Sequence, residues 1–190
     1  MTTTKNNMGK GISDATKLIK IELTQNKVAL VDEIDKDLVE RNWCAYKSGN
    51  AYKSGKHIIR FYATRYEHIN GKYKKIRMHR VILERMLGRE LIKGEDVDHI
   101  NHDGLDNRRV NLRLATHAEN MRNRVKRINC SSEYKGVCWY KPNKKWQAEI
   151  RIDGKQKRLG RFESEIEAAK AYDIAAIGAY GEFCCLNFPV

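Results

Sequence analysis

The feature that most constrains this chain is its centre. Val97-Asp98-His99-Ile100-Asn101 is followed by the polar run His102 to Arg109. Then come Asn111-Leu112-Arg113-Leu114-Ala115-Thr116 and His117-Ala118-Glu119-Asn120. The two apolar-bearing runs read as short strands, and the Gly- and Asp-rich stretch between them as a loop. Thr116-x-x-Glu119 is a capping box, so a helix is expected to start at His117. A strand, loop, strand and capped helix in so short a span predict an α+β fold with small local sheets.

The same stretch concentrates chemistry. Asp98 and His99 are neighbours on a strand, where successive side chains point to opposite faces. Two roles resolve this: Asp98 as a hard oxygen ligand to a metal, and His99 as general base on a water. An imidazole titrates near about 6.5, which suits base work at neutral pH. Asn111 can tie the loop across to the first strand through its amide and fix the backbone around His99. Asn120 falls at the end of the first helical turn. Its amide oxygen could complete a site for Mg²⁺ or Mn²⁺, which keep several waters. His117, three residues earlier, is the alternative ligand. An asparagine in a loop is usually just a turn former, so the weight lies in the set rather than in any one residue.

Composition limits the alternatives. In 190 residues the hydrophobic fraction is 41%, enough for folded cores, with two small ones expected rather than one large. No apolar run is long enough to span a membrane. The first residues lack the apolar stretch of a secretory signal, so a cytoplasmic protein is expected. The five cysteines are Cys44, Cys130, Cys138, Cys184 and Cys185, with no Cys-x-x-Cys pair. Buried thiols are expected, not disulfides or a zinc knuckle. Net charge is +13, and it is concentrated: Arg122 to Arg161 holds thirteen Lys or Arg against Glu133, Glu149 and Asp153. Tyr134, Trp139, Tyr140 and Trp146 interleave with these charges. That combination points to a nucleic acid partner.

In chain order, residues 1–16 read as a flexible tail and 17–76 as an N-terminal α+β unit without a catalytic constellation. That unit holds strands at 18–23 and 28–31, and a helix capped by Asp32 that runs through Ile34, Leu38 and Val39. A strand at 43–46 follows, then a loop over 47–56 with two Lys-Ser-Gly repeats, and a hairpin turning at Asn70-Gly71. Residues 77–128 form the central region. It opens on a helix carrying Met78, Val81, Ile82 and Met86, with Gly88 as its C-cap. Its second helix is expected to continue through Arg122 and Arg124 to Arg127, basic on most faces. A linker over 129–133 precedes a module over 134–190. Strands at 134–139, 146–152 and 155–162 there form an antiparallel sheet, with Asp153-Gly154 as a two-residue hairpin. Ser164-x-x-Glu167 is a second capping box, and an Ala-rich helix follows. Trp146, Ala148, Ile150 and Ile152 share one sheet face. Gln147, Glu149 and Arg151 share the other.

Two resemblances add to this reading. The stretch Val97 to Thr116 resembles the ββα-metal motif of HNH homing endonucleases. This implies that Asp98 binds the metal, His99 activates water and Asn111 supports the loop. Many members have His at the third position; Asn120 stands there here, as in a phage intron-type branch, which disfavours Zn²⁺. Tyr134-Lys135-Gly136-Val137, Trp146-Gln147-Ala148-Glu149-Ile150, Leu159-Gly160-Arg161-Phe162, Ala168-Ala169-Lys170-Ala171-Tyr172-Asp173 and Leu186-Asn187-Phe188-Pro189 resemble the Apetala-two/ethylene-response-factor DNA-binding domain. That resemblance implies DNA contact at Lys135, Glu149, Arg151 and Arg158. Plant members usually have Arg at Cys138 and Trp at Arg158, so their base preference is not expected to transfer.

The expected protein is thus a phage-type homing endonuclease, monomeric, acting on double-stranded DNA with Mg²⁺ or Mn²⁺ in a bacterial host cytoplasm. Arg122 and Arg124 are expected to join the DNA contacts. The alternative is a non-catalytic, sequence-specific DNA-binding regulator.

Overall fold

The computed structural model describes residues 17–53, 56–126 and 131–189; side chains are described outside 49–58. The expected tail over 1–16 and part of the expected linker lie outside the described residues. The fold is α+β, built from several small antiparallel sheets and three α-helices.

Strands β1 (Leu18–Leu23) and β2 (Lys27–Asp32) form a hairpin. Gln25 and Asn26 turn it with φ of 61° and 51°. The expected helix after Asp32 is a 3₁₀ segment, Glu33–Glu40, and the Asp32 side chain does not cap it. Asp32 Oδ2 instead accepts from the Arg109 backbone N–H at 2.7 Å. The capping group is thus drawn to a partner far away in sequence. Strands β3 (Cys44–Lys53), β4 (Lys56–Ile69) and β5 (Lys72–Arg77) make an antiparallel sheet in that order. The expected loop over 47–56 is mostly strand. The Ser48-Gly49 irregularity is taken up as a register shift between Lys47 and Asn50. The turn at Asn70-Gly71 is as expected, with φ of 50° and 75°.

Helix α1 (Met78–Leu87) ends at Gly88, whose φ of 66° is the left-handed cap its sequence predicts. Strands β6 (Glu95–His99) and β7 (Leu112–Thr116) pair antiparallel, and helix α2 (His117–Arg122) follows directly. One apolar core serves everything up to here. Ile21, Val31, Leu38, Trp43, Ala63, Met78, Ile82 and Leu112 belong to the same buried cluster. Backbone bonds stitch β2 to the loop after β6, from Leu30 N–H to the Leu105 carbonyl at 2.9 Å and from Asn107 N–H to the Leu30 carbonyl at 2.8 Å. Gly104 marks the closest approach. A Cβ there would lie 2.4 Å from the Phe61 carbonyl oxygen and 2.6 Å from the Tyr62 ring.

The C-terminal sheet runs in the order β10 (Lys155–Phe162), β9 (Lys145–Ile152), β8 (Val137–Tyr140), with helix α3 (Glu165–Tyr180) on one face. Ala148 and Ile150 of β9 meet Ala168, Ala169, Tyr172 and Ala176 of α3 in the module's core. Small side chains let the helix lie close to the sheet. The first strand is shorter than expected because Gly136 turns, with φ of 76°, directly beneath the Tyr172 ring. A Cβ there would stand 1.9 Å from that ring. Ser164 occupies the N-cap of α3 without a side-chain cap bond, unlike the predicted box. Among the described cysteines Cys185 is buried, Cys138 and Cys184 are partly exposed and Cys44 is exposed, so the expectation of buried thiols holds for Cys185 alone of these four. Among the described residues, no helix is long and apolar enough to cross a membrane.

Asp35 holds the 3₁₀ segment to the centre. Its fully buried carboxylate takes Arg109 Nε at 2.8 Å and Nη2 at 3.0 Å, and Arg85 Nη1 at 3.1 Å. Removing a buried partner leaves unpaired charge behind. Asp35→Ala should therefore cost toward the low end of about 3–5 kcal/mol, since both arginines are partly exposed. A urea unfolding curve checks this; an unchanged midpoint would contradict it.

Candidate active site

Asp98 and His99 sit at the end of β6, both buried, opposite Arg113 and Leu112 of β7. The strand stops there because the chain turns back, with the His102 N–H bonded to the His99 carbonyl at 3.0 Å. That turn relieves the opposite-face problem of neighbouring strand residues. Asp98, His99, Asn120 and Asn123 border one cleft, together with Arg60 and Tyr62 from β4. Its enclosed space is about 40 Å³. That admits an ion and a few waters, not a nucleotide, so a large substrate would meet it at its mouth. The N-terminal unit, expected to be silent in chemistry, thus supplies part of the wall.

Asn111 sits where its sequence position predicts. Its Oδ1 accepts from the Asn101 N–H at 2.9 Å. Its Nδ2 donates to Asn101 Oδ1 at 3.0 Å and to the Asp106 carbonyl at 2.7 Å. Its own carbonyl accepts from the Ile100 N–H at 2.9 Å. One amide therefore closes the loop just past His99. The loop's second brace is Asn107, which the sequence reading passed over. Asn107 is fully buried, and its Nδ2 donates to the Leu105 carbonyl at 3.1 Å. That bond turns Oδ1 toward His99 Nε2, 3.3 Å away. An amide oxygen can only accept, so Nε2 carries the proton and Nδ1 is left as the basic nitrogen.

Burial pushes the His99 imidazole below its ordinary value, against the opposite pull of the Asn107 bond and of Asp98, Asp103 and Asp106. The ring is held neutral, the state a proton acceptor needs. Behind it lies His79, a core residue of α1, with ring centroids 5.1 Å apart and nearly perpendicular. Tyr62 completes the cluster, 5.2 Å from His79 and 5.8 Å from His99. His79 is buried, and its Nδ1 meets no hydrogen-bond partner. Burial, with His99 adding to it, lowers its pKa well below the ordinary value.

The Asp98 carboxylate is gripped on one side. Arg113 reaches Oδ2 through Nε at 2.8 Å and Nη2 at 2.7 Å, while Asn123 Nδ2 bonds both oxygens at 2.9–3.0 Å. Oδ1 thus takes only Asn123 and retains acceptor capacity. Asn120 donates its Nδ2 to the Val97 carbonyl at 3.3 Å, and among the described residues no donor meets its Oδ1. A carboxylate oxygen and an amide oxygen on one cleft are hard donors. They fit a divalent cation that keeps its waters. Among the described residues no cluster of three His, Cys, Asp or Glu occurs, so the donor set is unlike that of a structural zinc site. His117, the alternative ligand, is exposed and faces Asp96, with Nδ1 to Oδ2 at 3.1 Å.

Helix α2 begins with its capping box intact, the Glu119 N–H on Thr116 Oγ1 and the Thr116 N–H on Glu119 Oε2. It ends at Arg122, short of the expected Arg127. Asn123 takes the C-cap position and turns its side chain inward onto Asp98 and the His99 carbonyl. The six residues expected to contact DNA divide. Glu149, Arg151 and Arg158 share the sheet face away from α3, with Arg158 directly across from Glu149. Gln147 and Gln156 both bond Glu149 there. Arg124 borders the cleft, and Arg122 lies over the Tyr180 ring at 5.1 Å. Lys135 is elsewhere. Its ammonium donates to the Arg122 carbonyl and, at 2.7 Å, to the Arg124 carbonyl, and burial lowers its pKa. It therefore joins the C-terminal module to the end of α2.

Folded His79 and His99 both resist protonation. Below pH 6.5 the unfolded chain takes up protons that the folded chain refuses, so stability falls as pH falls. Each fully neutral buried imidazole contributes a loss of up to about 1.4 kcal/mol per pH unit. The urea midpoint should drop between pH 7 and 5.5, and His79→Leu should flatten that drop. An identical pH slope in the variant would contradict neutral burial of His79.

Residues 77–122 match a family model described as HNH endonuclease. A protein of Acanthamoeba polyphaga mimivirus, named as an uncharacterized HNH endonuclease, is 32% identical over 113 residues, 60% of this chain and 58% of that one. An AP2-like ethylene-responsive transcription factor of Arabidopsis thaliana is 40% identical over 60 residues, 32% of this chain and 12% of that one. An APETALA2-like protein of Oryza sativa subsp. indica is 43% identical over 58 residues, 30% of this chain and 13% of that one. The chain thus spans 58% of the length of the viral relative and 12–13% of these plant relatives. Residues 77–122 thus match the HNH endonuclease family, and the C-terminal region is similar to AP2-like plant transcription factors.

Proposed function

We propose that this protein is a metal-dependent endonuclease that hydrolyses phosphodiester bonds in duplex DNA, with its C-terminal domain gripping the DNA. The observation that carries this reading is the state of His99. It is a buried imidazole whose pKa burial lowers and whose Nε2 faces the Asn107 amide oxygen at 3.3 Å. It shares a cleft with Asp98 and Asn120, inside the segment that matches the nuclease family.

His99 Nδ1 accepts a proton from water as that water attacks phosphorus, and the bond to the leaving 3′ oxygen breaks. Asn107 keeps the Nε2 proton in place, so the imidazolium that forms keeps its hydrogen bond. Asn111 holds the turn behind His99. Asp98 and Asn120 would hold a divalent cation, Mg²⁺ or Mn²⁺, which when bound supplies stabilisation of charge developing on the phosphoryl oxygens. Arg113 and Asn123 orient the Asp98 carboxylate for that task.

The division of labour is between residues 77–128, which cut, and residues 134–190, which recognise. Glu149, Arg151 and Arg158 on the free sheet face would read or position DNA there. The basic balance of the C-terminal half supports a polyanion as substrate. The finer reading is a homing endonuclease of the phage type, monomeric and cytoplasmic in its host. The sequence resemblance of Val97 to Thr116, with Asn120 at the third position, supports it.

His99→Ala should lose about 10²–10⁴-fold or more in cleavage while retaining DNA binding. EDTA should abolish cleavage by the unaltered chain. A plasmid-nicking assay with Mg²⁺ tests both. Full cleavage by the variant would remove His99 as base. Binding without any metal-dependent nicking would favour a DNA-binding regulator instead.

A further inference from the structure

Strand β4 lies outside the segment that matches the nuclease family, yet it forms one wall of the cleft. Tyr62 is wedged there against Gly104 and beside the His79 and His99 rings. Side chains two apart on a strand share a face. Arg60 therefore shares the face of Tyr62, and both border the cleft. Arg60 is half-buried. Among the described residues its guanidinium has no ion pair, hydrogen bond or aromatic ring as partner.

The other arginines at or beside this cleft are differently disposed: Arg124 borders it, and Arg113 lies behind Asp98. Arg113 is spent on Asp98, on the Glu182 carbonyl at 2.6 Å and on the Phe183 ring. Arg124 is exposed and leans on the Met121 sulfur. The Asp98 carboxylate already has Arg113. Among the described residues, Arg60 is thus a strand-mounted, half-buried cation of the cleft with no anion to match it.

We propose that Arg60 holds the scissile phosphate of DNA, so that the N-terminal sheet completes the active site. A planar guanidinium matches two phosphate oxygens at once, which fixes orientation as well as charge. A residue mounted on a strand, on the face of Tyr62, is placed to present a phosphodiester to the His99 side of the cleft. This inference rests on the nuclease reading, because it needs a phosphodiester at this cleft.

Binding and cleavage test it separately. In EDTA, the affinity of the full chain for a short DNA duplex is measured against salt. Arg60→Gln should reduce the slope of log K against log salt by about 0.9, one phosphate contact. Arg60→Lys should keep the slope, since it keeps the charge. With Mg²⁺ and saturating protein, single-turnover cleavage should fall about 10²–10³-fold in Arg60→Gln, with Arg60→Lys intermediate. Thermal melts confirm that both variants fold. An unchanged slope overturns the inference, and so does a reduced slope with an unchanged single-turnover rate, which would put Arg60 on a phosphate away from the reaction. If the unaltered chain does not cleave at all, the slope decides alone: a fall upholds the phosphate contact while removing the nuclease reading, and no change removes both.

Discussion

Asp98 is a carboxylate taken out of water, and burying such a charge costs several kcal/mol unless it is paired and hydrogen-bonded. Its compensation comes from two directions. Arg113 approaches from the neighbouring strand, and Asn123 from the end of α2. Each partner is itself held. Arg113 donates to the Glu182 carbonyl and lies 4.1 Å from the Phe183 ring centroid, both in the turn that follows α3. Asn123 also bonds the His99 carbonyl. The strand pair, the short helix and the last turn of the C-terminal module thus converge on one charged group. The length of α2 follows from this: the chain leaves the helix where Asn123 must face inward.

A second dependence runs through His99. Under the proposed mechanism His99 must be neutral and in one tautomer: burial favours the first, and the Asn107 amide oxygen at its Nε2 favours the second. His79 and Tyr62 pack around the imidazole, so the ring's orientation is set by core packing as well as by hydrogen bonds. That places the geometry of the His99 ring under the control of α1 and β4, elements outside the Val97–Thr116 stretch.

What the sequence reveals is what local rules govern. The Thr116–Glu119 box, the Gly88 cap, the Asn70-Gly71 and Asp153-Gly154 turns and the alternation of β9 are set by residues a few positions apart. Asn111 is legible because it ends the loop just before β7, where an antiparallel partner brings it opposite the end of β6. Asp32 shows the limit. It has every local credential of a helix cap, and a backbone N–H some seventy positions on takes it. Asn107, Asn123 and Arg60 are illegible for the same reason. An asparagine in a polar loop, an asparagine after a helix and an arginine on a strand have no distinguishing spacing. Their roles exist only once the chain has brought distant partners together. Asn107 carries one possible signal: it follows Asp106 just before a pair of arginines, inside the loop that already holds the site.

The two halves of the molecule are held together by different physics. From Ile21 to Leu112 one apolar core runs through the three sheets β1–β2, β3–β5 and β6–β7 and α1, so the cleft cannot be separated from its N-terminal wall without exposing that core. The C-terminal module has a core of its own and meets the rest mainly through cations on carbonyls: Lys135 on Arg122 and Arg124, and Arg113 on Glu182. Lys126 adds bonds to the carbonyls of Tyr134 and Val137. Such contacts are directional and depend on geometry, whereas apolar burial does not. They set the angle between the free sheet face and the cleft while leaving each side folded by itself. Because the Arg113 contact ends on Asp98, the bond that sets this angle also orients the carboxylate.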